Sequence, residues 1–171
     1  MQSGDLGGAA DALKTILKSS PKHLEANLNL GMIYALQSRF SLALGHLSTA
    51  VAQNNQLPDA HQLMGDCFRG QRNPVEAAKA YKKAVAFNPR SMESWFNLGL
   101  MQKENKEFEG AVAAFQKAIE LQPEFRKAHE WIGLTLIDSG NYIDGLSAVA
   151  KGSGFIEFNN KGSETYRLVT S

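Results

Sequence analysis

The chain repeats itself with a fixed period. Four glycines mark it most clearly, because each stands 34 residues after the one before, namely Gly31, Gly65, Gly99 and Gly133. Alanines and prolines recur in phase with these glycines: Ala43, Ala77 and Ala111; Ala50, Ala84 and Ala118; Pro21, Pro89 and Pro123. A period of this length is typical of an array of small units that bury their apolar faces only against one another.

Each copy predicts two short amphipathic helices. In the most regular copy, residues 92–125, Trp95 and Gly99 share one face of a first helix, and Ala111 and Phe115 share one face of a second. Glycine inside a helix costs about 1 kcal/mol relative to alanine. Four such glycines in phase therefore indicate a point where the two helices of a unit approach closely.

The order W-x2-L-G, then A-x3-F, then P, which runs from Trp95 to Pro123, resembles the tetratricopeptide repeat family. The resemblance implies an all-α fold, a right-handed α-solenoid of stacked antiparallel helix pairs. It also implies a non-enzymatic scaffold or adaptor, whose concave groove takes an extended peptide or a partner helix.

The phase of the repeat divides the chain into six segments. They are an N-terminal half repeat with only a second helix (1–21), three full repeats (22–57, 58–91 and 92–125), a degenerate fourth repeat (126–153) and a tail (154–171). Gly145 stands where the other repeats have alanine, so the second helix of the fourth repeat is expected to decay. The tail reads as a short hairpin, a disordered end or the start of a further domain.

The helical period also predicts which residues line the groove. On each first helix they lie opposite the stripe that faces the second helix: Leu28, Asn29, Met32, Gln62, Leu63, Asp66, Arg69, Phe96, Asn97, Leu100, Lys103, Glu130, Trp131 and Leu134. Many are apolar for a solvated face, and an exposed apolar patch rimmed by polar groups marks a binding surface. The alternative is that some of them contact the next repeat or the C-terminal segment.

Three features of this face refine the expectation. Asn29 and Asn97 share a phase, and in some members of the resembled family asparagines here hold a peptide backbone; Leu63 and Trp131 interrupt that ladder. The positive charge needed to clamp a C-terminal carboxylate, another mode of the family, is missing. If the face is open, replacing Phe96 and Trp131 by alanine abolishes binding and leaves thermal unfolding almost unchanged.

The composition disfavours other classes of function. With 18 basic and 17 acidic residues, a net charge of +1 exerts no long-range attraction toward nucleic acid or an anionic membrane. His61 and His129 share the phase of Trp95, two repeats apart, so they are expected to be buried and too distant to share a metal. No cofactor or metal and no catalytic residue is expected. The default location is cytoplasmic.

Two alternatives remain open at the level of function. One is a substrate-recruiting arm of a larger enzyme, such as a transferase, whose catalytic domain lies beyond residue 171. The other is weak self-association through the unsatisfied ends of the stack.

One residue departs from the motif in the first full repeat. Asn27 replaces the aromatic residue of the motif and is expected to weaken packing there.

Overall fold

A computed structural model of the protein describes residues 6–153, and this part of the chain is built from α-helices without strands. The nine helices are α1 (Leu6–Ser19), α2 (Leu24–Leu36), α3 (Phe40–Gln53), α4 (Pro58–Gly70), α5 (Pro74–Phe87), α6 (Met92–Glu104), α7 (Phe108–Leu121), α8 (Arg126–Asp138) and α9 (Tyr142–Ser153). The predicted all-α class is confirmed. The possibilities raised for residues 154–171 lie outside the described residues.

The helices form antiparallel pairs. We call α2, α4, α6 and α8 the A helices and the helix that follows each of them its B helix. Each A helix packs against its own B helix, and α3 and α7 also pack against the A helix that follows them. α1 occupies the B phase and packs against α2. The helices fall into two compact bodies, an N-terminal body of α1–α5 up to Pro89 and a C-terminal body of α6–α9 from Arg90.

Local sequence signals begin several helices. The Asn73 side chain accepts a hydrogen bond from the Glu76 backbone N–H at 3.2 Å, and Pro74 follows in the first turn, where its missing N–H costs nothing. Ser91 caps α6 in the same manner through the backbone N–H of Ser94. These caps satisfy backbone donors that have no partner inside the helix.

The turn between A and B helices is the same in all four pairs. Its central residue has positive φ: Ser38 at 58°, Arg72 at 57°, Lys106 at 62° and Gly140 at 90°. The next residue donates a backbone hydrogen bond to the carbonyl five residues earlier, as from Asn73 to Phe68 at 2.9 Å. This is a Schellman C-cap, which satisfies the last carbonyls of the A helix.

The repeated glycines lie where each A helix crosses its B helix. A Cβ added to Gly31 would lie 2.8 Å from Leu47 Cγ, and one added to Gly99 would lie 2.6 Å from Phe115 Cε1. Leu47 and Phe115 are themselves 0% exposed. Glycine is therefore required by close packing, as the period predicts.

The fourth pair does not decay at Gly145. A Cβ on Gly133 would lie 2.6 Å from the carbonyl oxygen of Gly145, so two glycines let the backbones of α8 and α9 approach directly. The second helix continues past Gly145 and ends at Ser153, with 12 residues against 14 in each of α3, α5 and α7. The missing methyl group at position 145 permits closer contact between α8 and α9.

Candidate functional site

In the N-terminal body, the predicted groove residues lie on α2 and α4, which contact each other. Leu28 and Leu63 are half-buried and pack against one hydrophobic cluster that includes Leu30 and Tyr34. Asn29 and Arg69 are exposed, whereas Gln62 and Asp66 are half-buried. We call the set Leu28, Asn29, Met32, Leu36, Gln62, Leu63, Asp66 and Arg69 the α2–α4 surface.

Two large apolar side chains of the α2–α4 surface lie open to solvent. Met32 is 46% exposed and Leu36 is 68% exposed. They are four residues apart, so they lie on one side of α2 a single turn from each other. Leu36 is absent from the residues predicted for the groove, although its spacing from Met32 could have identified it.

The α2–α4 surface also carries an acidic group with a fixed position. The Tyr81 hydroxyl on α5 donates to Asp66 Oδ1 at 2.6 Å, and Arg69 Nη2 donates to the same oxygen at 3.3 Å. Tyr81 is 0% exposed, so the core of the body holds the position of the Asp66 carboxylate. The surface thus combines open apolar area with a carboxylate and a guanidinium of defined geometry.

The equivalent positions of the C-terminal body are more closed. Phe96 is half-buried, with its ring centroid 5.5 Å from that of Phe115 and 4.8 Å from that of Phe125. Trp131 is also half-buried, and its ring is stacked at 6.4 Å from the ring of Phe115. Both aromatic residues belong to the packing of the C-terminal body.

This placement corrects one expectation from the sequence. Phe96 and Trp131 contact the core cluster that contains Phe115, so their joint replacement by alanine removes buried aromatic area and must lower stability. These two rings are packed because α6 and α8 contact each other. Aromatic side chains at the positions predicted for the groove therefore lie between the third and fourth repeats.

Lys103 has partners within the C-terminal body as well. Its Nζ forms an ion pair with Asp138 of α8 and lies 5.5 Å from the centroid of the Trp131 ring. The predicted residues Leu100, Glu130 and Leu134 are half-buried. Lys103 therefore links α6 to α8, and a ligand would meet it as part of an ion pair.

The two asparagines that share a phase have different surroundings. Asn29 is exposed, but Asn97 is only 6% exposed, so it is not the open amide that the sequence predicts. Trp131 in the C-terminal body stands where the N-terminal body has Leu63, and Phe96 stands where it has Leu28. The C-terminal body thus has an aromatic residue next to Asn97 on α6 and another at its phase on α8.

The described part of the chain offers little reactive chemistry. It contains no group of three or more His, Cys, Asp or Glu side chains that could hold a metal ion. Cys67 is fully buried, and burial raises the pKa of its thiol to about 11, with Asp66 adding to the effect. His61 is 3% exposed and stacks on Phe87, while His129 is half-buried. None of the helices within residues 6–153 has the length and apolarity to cross a membrane.

Family models identify the repeats directly. One model described as tetratricopeptide repeat matches residues 1–67, and a second matches residues 93–125. Together the two matches include more than half of the 171 residues.

The curated proteins that resemble this chain are much longer than it, and the similarity lies in one part of each. The human protein O-mannosyl-transferase TMTC3 is 27% identical over 74% of this chain, which spans 14% of that protein. The peroxisomal targeting signal receptor of Saccharomyces cerevisiae is 26% identical over 73% of this chain, which spans 21% of the receptor. The chain thus spans a small fraction of the curated relatives it matches.

A solved structure has the same fold as this chain over most of its length. The crystal structure of MamA superposes with a TM-score of 0.81 at 27% identity, and the match includes 87% of each chain. The repeated helix pairs, the glycine crossings and both family matches lead to one assignment, and proteins built in this way serve as interaction scaffolds. The chain belongs to the tetratricopeptide repeat family.

Proposed function

We propose that this interaction module binds an extended peptide or a partner helix on the A-helix face, with the α2–α4 surface as the principal contact. The observation that carries the proposal is the exposed apolar pair Met32 and Leu36 on α2, with the fixed carboxylate of Asp66 at the phase of Met32 on α4, a helix that contacts α2. Exposed apolar area rimmed by polar groups is typical of a binding surface.

Each part of the α2–α4 surface has a distinct role in this proposal. Met32 and Leu36 supply apolar contact area, which stabilises a complex by roughly 25 cal/mol for each Å² removed from water. Asn29 offers an amide donor and acceptor that can pair with a peptide backbone irrespective of its sequence. Asp66 and Arg69 bind polar or charged groups of the ligand at the edge of the α2–α4 surface.

The C-terminal body has an A-helix surface of its own, which is less open. Leu100, Lys103, Glu130 and Leu134 are half-buried, so each still presents some area to a ligand. Phe96, Asn97 and Trp131 support these residues from within the packing of α6 and α8. The receptor for a peroxisomal targeting signal among the relatives supports recognition of a short signal by repeats of this kind.

The test uses peptides selected from a displayed library of random short sequences. The affinity of a selected peptide is measured by titration calorimetry for the full chain, for Met32→Lys and for Leu42→Lys. Leu42 is a matched control, because it is 43% exposed on α3 whereas Met32 is 46% exposed on α2.

We expect Met32→Lys to weaken binding about tenfold or more, equivalent to about 1.4 kcal/mol, and Leu42→Lys to leave it unchanged. Both changes lie at the surface, so the unfolding free energy should move by no more than about 0.5 kcal/mol in either variant. Equal affinity of the two variants would remove the α2–α4 surface as the binding site.

A second candidate is that the chain recruits substrate for a larger enzyme. It is favoured by the similarity to the human O-mannosyl-transferase, of which the chain spans 14%. An immunoblot of the source cells with an antibody to this chain tests it. A band near 18.7 kDa and no larger product would count against this candidate.

A further inference from the structure

A cleft of about 390 Å³ lies along α4 and α5 in the N-terminal body. Its floor is apolar, with Met64 and Phe68 of α4 beside Ala80 of α5. Met64 and Phe68 are half-buried, so both keep area that a ligand can contact. We call this space the α4–α5 cleft. Helices precede and follow α4 and α5 in the chain, so the cleft does not arise from the first or the last helix of the array.

The mouth of the α4–α5 cleft is basic. Lys79, Lys82 and Lys83 line it from one side of α5, because residues three and four apart lie on the same side of a helix. All three lysines are exposed. Glu76 also lines the mouth, and its Oε1 accepts a hydrogen bond from Lys79 Nζ at 2.6 Å. Three lysines and one glutamate give these side chains a net charge of +2.

The charge of the α4–α5 cleft is not part of the repeated pattern, although its shape is. The first full repeat has a cleft of about 350 Å³ at the same place, lined there by Gly45 and Thr49 in the phases of Lys79 and Lys83. In α7 one of the three lysines has a basic counterpart, Lys117 in the phase of Lys83. The packing of a repeat therefore does not require the three lysines, and their concentration on α5 favours a role in binding.

We propose that the α4–α5 cleft binds an acidic peptide segment of a partner protein. One large apolar side chain of the segment lies on the floor, and the carboxylates that flank it pair with the lysines at the mouth. A cleft of a few hundred Å³ with an apolar lining and a few polar groups is typical of a ligand site. The cleft uses Met64 and Phe68 of α4, whereas the α2–α4 surface uses Asp66 and Arg69 of that helix, so the two sites are distinct.

Charge complementarity and the apolar floor together select this occupant. The tail of the chain, residues 154–171, carries two acidic and two basic residues, so it lacks the negative charge that the lysines favour. The phosphates of a nucleic acid would pair with the lysines but leave the apolar floor in contact with water. A peptide that combines carboxylates with an aromatic or aliphatic side chain satisfies both parts of the cleft.

The test uses a short synthetic peptide with one phenylalanine between glutamates, blocked at both ends and labelled with fluorescein. It is titrated with the full chain at about 0.15 M salt, and binding is followed by fluorescence anisotropy. A second peptide has glutamine in place of each glutamate, and a third has alanine in place of the phenylalanine. The chain variants are Lys83→Glu and Lys117→Glu. Lys117 is a matched control, because it is exposed in the same phase on α7 and its replacement changes the total charge equally.

We expect saturable binding of the first peptide, and binding at least about tenfold weaker for Lys83→Glu and for each altered peptide. Lys117→Glu should stay within about twofold of the unchanged chain, because salt screens distant charges. Glu76→Gln should strengthen binding about twofold, since Lys79 loses its ion-pair partner, and a damaged fold would not produce such a gain. Met32→Lys, which weakens the library-selected peptide, should leave binding of the acidic peptide unchanged.

Several results would overturn the proposal. Absence of binding, or equal weakening by Lys83→Glu and Lys117→Glu, removes the α4–α5 cleft as the site. An oligonucleotide that binds more tightly than the peptide, with the same dependence on Lys83, assigns the cleft to nucleic acid instead. Sedimentation that shows a dimer of the chain lost in Lys83→Glu assigns it to a second copy.

Discussion

Asn27 shows how a polar residue can replace an aromatic one inside a repeat. It is 2% exposed, and its Nδ2 donates at 3.0 Å to the carbonyl oxygens of both Pro21 and His23. Its Oδ1 lies 2.9 Å from His46 Nδ1, so that nitrogen carries the proton. Burial lowers the pKa of His46 and favours the neutral ring. The amide of Asn27 joins α2, α3 and the turn before α2, so hydrogen bonds stand where the motif has aromatic contacts.

Removal of this amide should therefore be costly. We expect Asn27→Ala to lower the unfolding free energy by about 1–3 kcal/mol, since the partly buried hydrogen bonds to Pro21, His23 and His46 are lost. Asn29→Ala, an exposed asparagine on the same helix, should change it by no more than about 0.5 kcal/mol. Urea unfolding of the two variants measures the difference, and equal losses would contradict this account of Asn27.

At the scale of helices, each repeat is fixed by one crossing point between A and B helices. In the first three pairs a glycine meets a side chain, as Gly65 meets the ring of Tyr81. In the fourth pair Gly133 meets the Val149 side chain and also backbone atoms of α9, because the Gly145 carbonyl oxygen and the Val149 nitrogen each lie 2.6 Å from a Cβ placed there. Backbone atoms cannot rotate away as the end of a side chain can.

The fourth crossing should consequently be the least tolerant of an added methyl group. We expect Gly133→Ala to destabilise the protein by roughly 1–3 kcal/mol, because overpacking outweighs the helix propensity that alanine gains. Gly45 is the control: nothing lies within 4 Å of a Cβ there, so Gly45→Ala should stabilise the protein by about 0.5–1 kcal/mol. Thermal unfolding of the two variants measures the difference. A stabilising effect of Gly133→Ala would contradict the close approach of α8 and α9.

For the whole molecule, the period of the sequence predicts the fold well because glycine, alanine and proline recur at the contacts that define a repeat. Leu6–Ser19 and the four helix pairs lie where the phase places them. The phase gives the direction of a side chain but not how near the next helix comes. That is why Phe96 and Trp131 were expected to be open and are packed, while Leu36, which is 68% exposed, was missed.

The candidate site was predicted less completely than the fold for the same reason. Met32 was identified correctly as an exposed apolar residue, but Asn97 was expected to match Asn29 and is buried. Repeats that share the recurring glycines and alanines still differ in the size of the side chains at the positions between them. Openness of an A-helix face therefore depends on neighbouring side chains that the period does not constrain.

The most direct test of the central claim is to map a selected peptide onto the chain by amide chemical-shift changes in solution. The account predicts that the largest changes fall on α2 and α4, around Met32 and Asp66, and that the B helices α3 and α5 change little. Changes concentrated on α3 and α5, with α2 and α4 unaffected, would contradict it.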